Sequence, residues 1–310
     1  MMPSNRSATK PKSNDRPRPV WEWSFTAIGT DWWVGIYDAY DDPEKLQHKI
    51  ITLIDDFDDT YSRFRAGSLV SRMSEKAGTY QLPPNAVPLL RMYRELYEST
   101  GGRVTPLVGQ LLADAGYDAN YTLRSKHKLP SVPAWDDILS LDGSVLTVRK
   151  PALLDFGAAG KGYLVDLVAG LLEEESVEQY CVDAGGDMYC RGMNVPLTIG
   201  LEDPADPTQV IGVARVVGRA LCGSAPNRRA WGEYHHIMDP ASRRSTNNVK
   251  AVWAVADTAM LADGLTTALF FTEPEQLRKR FKFEYALVYA DGRLRYSPDF
   301  PATFFTKEQA

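Results

Sequence analysis

Leu153-Leu154-Asp155-Phe156-Gly157-Ala158-Ala159-Gly160-Lys161-Gly162-Tyr163-Leu164-Val165-Asp166 changes its period midway. The first four residues read as a short strand. From Leu164 the apolar side chains recur through Val168, Leu171 and Leu172, the spacing of one helix face. Glycines at 157, 160 and 162 fill the junction. Backbone without Cβ atoms can approach a ligand closely, and the first turn of a helix has amide groups to offer an anion. Taken alone, the segment is also an ordinary strand-to-helix turn.

Outward from this loop, the chain alternates short strands and amphipathic helices. On the N-terminal side, residues 25–30 lead into Trp32-Trp33-Val34-Gly35-Ile36-Tyr37, an aromatic and β-branched run that predicts a hairpin. Leu46, Ile50, Leu53, Ile54 and Phe57 follow Pro43 at helical spacing, which predicts a helix with proline in its first turn. A second helix is predicted over 86–99, stopped by Gly101-Gly102, and a third over 105–115. Residues 120–142 read as an irregular connection around one or two short elements, and 145–148 as a strand. On the C-terminal side, strands are predicted at 180–182, 197–201, 210–217, 250–256, 285–289 and 293–296, with one helix at 258–271. A second glycine turn, Ala184-Gly185-Gly186-Asp187, follows the strand at 180–182. The expected fold is α+β: mixed, largely antiparallel sheets with flanking helices and a cleft between two joined lobes.

The 310 residues, 44% of them hydrophobic, suffice for a sizeable core. A net charge of -5, with both signs mixed along the chain, argues against nucleic acid as a partner. No apolar run reaches the ~20 residues that a membrane span needs. Residues 1–20 carry scattered basic residues without periodicity and read as a disordered tail, with one domain over 21–310. Cys181, Cys190 and Cys222 have neither the even count of a disulfide framework nor metal-binding spacing. The expectation is reduced, buried thiols, no export signal and a cytoplasmic location.

Two clusters carry candidate chemistry. In His235-His236-Ile237-Met238-Asp239-Pro240, adjacent side chains on an extended segment face opposite ways, so one imidazole can serve a site while the other does not. Asp263 and Thr267 stand four apart in a predicted helix, so their oxygens share a face and can hold a hard cation. Each has a structural alternative: a solvated histidine pair, and a helical acid beside a hydroxyl bonded to the preceding turn.

The order of these pieces resembles the ApbE family of FAD:protein FMN transferases from residue 25 to 300. Ala27-Ile28-Gly29-Thr30 is similar to that family's A-M-G-T, and Ser62-Arg63-Phe64 with Ser68 to its S-R-F-x-x-x-S. The glycine loop is similar to D-L-G-G-I-A-K-G-Y-A-V-D, and Gly185-Gly186-Asp187 to G-G-D. His236-Ile237-Met238-Asp239-Pro240 resembles H-I-I-D-P, and Ala262-Asp263-Gly264-Leu265-Thr266-Thr267 resembles A-D-A-L-S-T. Thr105 stands where the family has an aspartate, and Leu221-Cys222-Gly223-Ser224 replaces a T-S-G turn.

The resemblance implies an ApbE-like fold and Mg2+-dependent transfer of FMN from FAD to a threonine hydroxyl of an acceptor protein, with release of AMP. It implies Mg2+ on the Gly160 carbonyl, Asp263 and Thr267, and an FAD pocket lined by Ile28, Phe64, Arg103, Val104, Thr105, Lys161 and Asp166. His236 and Asp263 are the expected catalytic residues, His236 as the base. The expected partners are FAD, as substrate, and a flavin-carrying domain or a subunit of a redox complex. Hydrolysis of FAD to FMN and AMP, and storage of FAD without catalysis, are the alternatives.

Overall fold

The computed structural model describes residues 18–193 and 196–305. Most of the expected basic tail, residues 1–17, lies outside them. The central sheet has eight strands: β1 (Trp21–Ala27), β2 (Thr30–Ile36), β3 (Tyr180–Ala184), β4 (Met188–Arg191), β5 (Ala220–Ser224), β6 (Val249–Ala256), β7 (Glu284–Tyr289) and β8 (Leu294–Tyr296). Their order in space is their order in the chain, and every neighbouring pair is antiparallel. Short turns at β1/β2, β3/β4 and β7/β8 permit only that pairing. The smaller sheets among the described residues are antiparallel as well, so the α+β expectation holds without the parallel pairs of a mixed sheet.

Strand β6 shows why the sheet is an inner layer. Val252, Ala254 and Ala256 join one apolar cluster with Cys222, while Ala251, Trp253 and Val255 join another with Leu201, Ala214 and Phe300. A strand buried on both faces reads as a near-continuous apolar run, as this one does. The second face is covered by the three-stranded sheet of Leu197–Asp203, Asp206–Val216 and Ala302–Phe304.

Four helices lie on the first face: α1 (Pro43–Tyr61), α2 (Ala86–Ser99), α3 (Gly160–Glu174) and α4 (Ala259–Ala268). Asp42 caps α1 by accepting from Lys45 N at 3.0 Å, an arrangement worth about 1 kcal/mol. Leu46, Ile50, Ile54, Phe57 and Tyr61 bury its inner stripe. Helix α3 packs on β3, β4 and α1, and α4 on β5, β6 and α2, so that α3 and α4 meet each other. No helix among the described residues is long and apolar enough to cross a membrane.

Three sequence expectations need correction. Residues 153–156 form no strand. The segment bonds to helical turns instead, with Ala152 N, just before it, donating to Met73 O in the helix Leu69–Glu75 at 3.0 Å and Asp155 N to Pro106 O at 2.8 Å. The helix expected over 105–115 divides into a 3-10 turn, Pro106–Val108, and a helix, Gly109–Asp114. A Cβ on Gly109 would stand 2.3 Å from Leu153 O, so this helix lies directly against the segment that replaces the strand. Finally, Cys181 and Cys190 are direct partners across β3 and β4 and form a disulfide, leaving Cys222 as the buried free thiol. The cysteine-based reason for expecting a reducing compartment falls with it.

Candidate active site

The junction between the glycine loop and α4 is held by close packing. A Cβ on Gly162 would lie 2.2 Å from Ala259 O and 2.7 Å from Asp263 Cβ, so only glycine lets α3 approach α4 here. Gly162 N donates to Asp263 Oδ2 at 2.8 Å, and Thr267 Oγ1 lies 3.5 Å from Ala158 O. The structure thus brings the loop together with the two helical oxygens predicted to share a cation. Gly160 is the first residue of α3, and the loop carbonyl beside Thr267 is that of Ala158.

The loop is not an open anion cradle. Gly157 N donates to Asp155 Oδ1 at 2.8 Å, Ala158 N and Ala159 N to the Tyr93 hydroxyl at 3.0 and 3.3 Å, and Gly160 N to Phe156 O at 2.8 Å. Its amides are consumed inside the protein, which corrects the expectation that they await a phosphate.

Charge in this junction is unbalanced. Lys161 Nζ lies 2.7 Å from Asp187 Oδ2 and donates to Ala184 O at 3.0 Å. Asp187 is 1% exposed and Asp263 3%, so two buried carboxylates share one ammonium. Burial, then the Asp187 charge, pushes Asp263 well above the ordinary carboxylate range, against the pull of Lys161 and the Gly162 amide. Burial alone would lower Lys161, but Asp187 and Asp263 hold it above its usual value. Among the described residues no group hydrogen-bonds Asp263 Oδ1.

Asp166 accepts from Ala259 N and Met260 N at 2.7 and 2.8 Å and so holds the first turn of α4. Burial raises its pKa to about 6 despite those two bonds. Ile28 occupies the β1–β2 turn with a φ of 46°, beside Gly29 at 74°. A β-branched residue there is strained by about 1–3 kcal/mol. A Cβ on Gly185 would reach within 2.2 Å of Thr30 Oγ1, so this hairpin end abuts the Gly185-Gly186-Asp187 turn that flanks Lys161.

The histidines divide as the extended geometry requires. His235 Nδ1 accepts from Ile237 N at 3.2 Å and Nε2 contacts Thr246 O at 2.6 Å, which places its proton on Nε2 and makes it structural. His236 Nδ1 contacts Arg229 O at 3.3 Å, which places its proton on Nδ1 and the lone pair on Nε2. Burial, then the Arg229 charge, lowers the His236 pKa to about 4, while Asp155 pulls it the other way.

Of the other residues expected at the pocket, Phe64 and Arg103 are linked to this histidine's segment. Arg229 reaches the Tyr117 hydroxyl at 3.0 Å, and Tyr117 lies 5.3 Å from the Phe64 ring. Exposed Arg103 pairs with Asp239 at 3.2 Å, joining its segment to the histidine motif. Val104 and Thr105 are buried, and Thr105 Oγ1 accepts from Leu107 N at 3.2 Å. The threonine therefore caps its turn as the family's aspartate can.

Sequence reasoning assigned no role to three residues. Arg63 is buried, binds Asp155 Oδ2 at 2.5 Å and Tyr117 O at 2.7 Å, and stands 4.1 Å from the Phe64 centroid. Asp187 holds Lys161. Both lay within matched motifs, and a buried charge among them had to have a partner. Tyr93, which holds the loop amides, gave no signal beyond its place on the α2 stripe. A cavity of about 190 Å³ borders this cluster, lined by Leu107 beside Thr105 and by Leu111 and Val132, which pack with Phe64 and Tyr117.

Fold and site together define an α+β enzyme with an acidic oxygen-donor centre between a glycine loop and a helix. The sequence model of the ApbE family matches residues 28–287; the chain belongs to that family and is a transferase. It is 26% identical over 256 residues to the FAD:protein FMN transferase of Vibrio cholerae, covering 76% of this chain and 75% of that one. To the FAD:protein FMN transferase of Escherichia coli K12 it is 25% identical over 288 residues, covering 84% and 81%. The flavin transferase ApbE structure from Vibrio cholerae superposes with a TM-score of 0.76 at 23% identity, over 90% of this chain and 97% of that one. The ApbE protein of Thermotoga maritima does so at 0.75 and 22%, over 90% and 97%.

Proposed function

We propose that this chain transfers the FMN half of FAD to a threonine hydroxyl of an acceptor protein, with Mg2+ bound and AMP released. The observation that carries it is the buried set of Asp263, Asp187 and Lys161, with excess negative charge, set beside the Thr267 hydroxyl and a loop carbonyl. Oxygen donors and uncompensated carboxylate charge suit a hard divalent cation. Asp263 Oδ1, Thr267 Oγ1 and a loop carbonyl, from Gly160 by resemblance or Ala158 by proximity, would hold it. When bound, the ion stabilises the charge that develops on the phosphoryl oxygens.

The protein's own residues do the rest. Lys161 uses two of its three ammonium hydrogens on Asp187 and Ala184 and keeps one for a phosphate oxygen. Ile28, Phe64, Arg103, Val104 and Thr105 line the FAD pocket. Asp166 serves it through the start of α4. His236 is neutral near pH 7, so Nε2 can take the proton of the acceptor threonine. The threonine oxygen then bonds to the phosphorus on the FMN side, and the bond to the AMP oxygen breaks.

Incubation with FAD and Mg2+, with and without an acceptor domain, tests this. The proposal expects AMP release that depends on the acceptor. Release of AMP without acceptor makes the protein an FAD hydrolase, and intact bound FAD makes it a carrier.

A further inference from the structure

Tyr121 is 53% exposed, yet its backbone has a φ of 50°, where side chains other than glycine, asparagine or aspartate are strained. Leu123 repeats this at 53°. The loop is nonetheless tightly tied. The Asp118 carboxylate accepts from Asn120 N and Thr122 N, Leu123 N donates to Gly116 O at 2.8 Å, and Lys126 N to Asp114 O at 2.8 Å. Gly116 leaves no room for a side chain, since a Cβ there would stand 2.6 Å from Arg124 N.

Burial does not explain the strain, because the Tyr121 ring stays exposed and meets the apolar cluster of Tyr117 and Trp231 only edge-on, 5.6 Å from the Tyr117 centroid. What the loop achieves is a ring contact: Tyr121 stacks on Phe64 with centroids 5.3 Å apart and planes 12° from parallel. Phe64 also carries the Arg63 guanidinium at 4.1 Å. Phe64 is thus covered by its neighbours, and the ring this corner offers to a planar ligand is the exposed Tyr121, with Phe64 behind it.

We propose that Tyr121 is a specificity-determining residue for the flavin ring: backed by Phe64 and held out by the strained 116–126 loop, it is the platform against which the isoalloxazine lies. This rests on the flavin-transfer reading and deepens it. Strain held at an exposed position and directed at a ring in the candidate pocket is the form that preorganisation for a ligand takes.

The test measures binding of FAD, by quenching of flavin fluorescence, and of ADP, by calorimetry, to wild type, Tyr121→Ala and Tyr121→Phe. The expected result is a loss of about tenfold in FAD affinity for Tyr121→Ala, near-wild-type affinity for Tyr121→Phe, and unchanged ADP affinity in all three. In turnover, Tyr121→Ala raises KM for FAD more than it lowers kcat. Equal FAD affinity in wild type and Tyr121→Ala overturns the platform alone, as does a parallel loss of FAD and ADP, which marks collapse of the loop. Wild-type protein that binds no FAD overturns the functional reading and the platform together.

Discussion

His236 donates from Nδ1 to the Arg229 carbonyl and sits beside the Arg229 charge, so the folded protein resists a proton on Nε2. With His236 as the base proposed above, the acid limb of kcat/KM should fall near pH 4 rather than near 6.5. A pH-rate profile of flavin transfer checks this. The same shift fixes the sign for stability. Between about 6.5 and 4 the unfolded chain binds a proton that the folded one refuses, so stability drops as pH falls through that window and the loss is complete below it. His236→Ala should lower kcat by roughly 10²–10⁴, whereas His235→Ala, which strips the Ile237 and Thr246 contacts, should lower stability by about 1–3 kcal/mol. Thermal unfolding and single-turnover transfer separate the two. The sequence offered both histidines at one spacing; which ring nitrogen is committed to backbone depends on residues 229 and 246, which no local pattern reveals.

Strands and helices were legible wherever a single period ran uninterrupted. Strand β6 and helix α2 stand where the apolar run and the glycine stop placed them. Residues 153–156 failed because an apolar quartet does not say whether its amides meet a neighbouring strand or, as with Asp155 here, the 3-10 turn at Pro106. The disulfide failed for a related reason. Cysteine count and spacing carry no strand register, and it is the register of β3 on β4 that sets Cys181 against Cys190. The glycine loop shows the opposite case: its position was readable, but its purpose is helix–helix approach rather than an amide nest. Gly162→Ala should therefore separate α3 from α4, costing about 3 kcal/mol. Differential scanning calorimetry should show a fall of roughly 4–6 °C in Tm. An unchanged Tm would mean that the two helices do not touch at this point.

Across the molecule, the sheet serves as a fixed wall that lets two distant stretches of chain meet. The loop at 157–162 and α4 are about a hundred residues apart, and both are anchored on strands of one antiparallel layer. If they share a cation and a dinucleotide, FAD and Mg2+ should stabilise the fold together more than either alone. Saturation at 100 times the dissociation constant adds about 2.7 kcal/mol, readable as a rise in Tm. Replacing Asp263 with Asn removes one of two crowded carboxylates, so the ligand-free protein should keep or gain thermal stability while the Mg2+-dependent rise disappears. Intact-mass spectrometry of an acceptor domain incubated with FAD, with and without Mg2+, tests the convergence of loop and helix on an ion most directly. Wild-type protein with Mg2+ should add one FMN to the acceptor threonine, and omission of Mg2+ or the Asp263→Asn change should leave the acceptor mass unaltered. Transfer by Asp263→Asn at the wild-type rate would contradict the account.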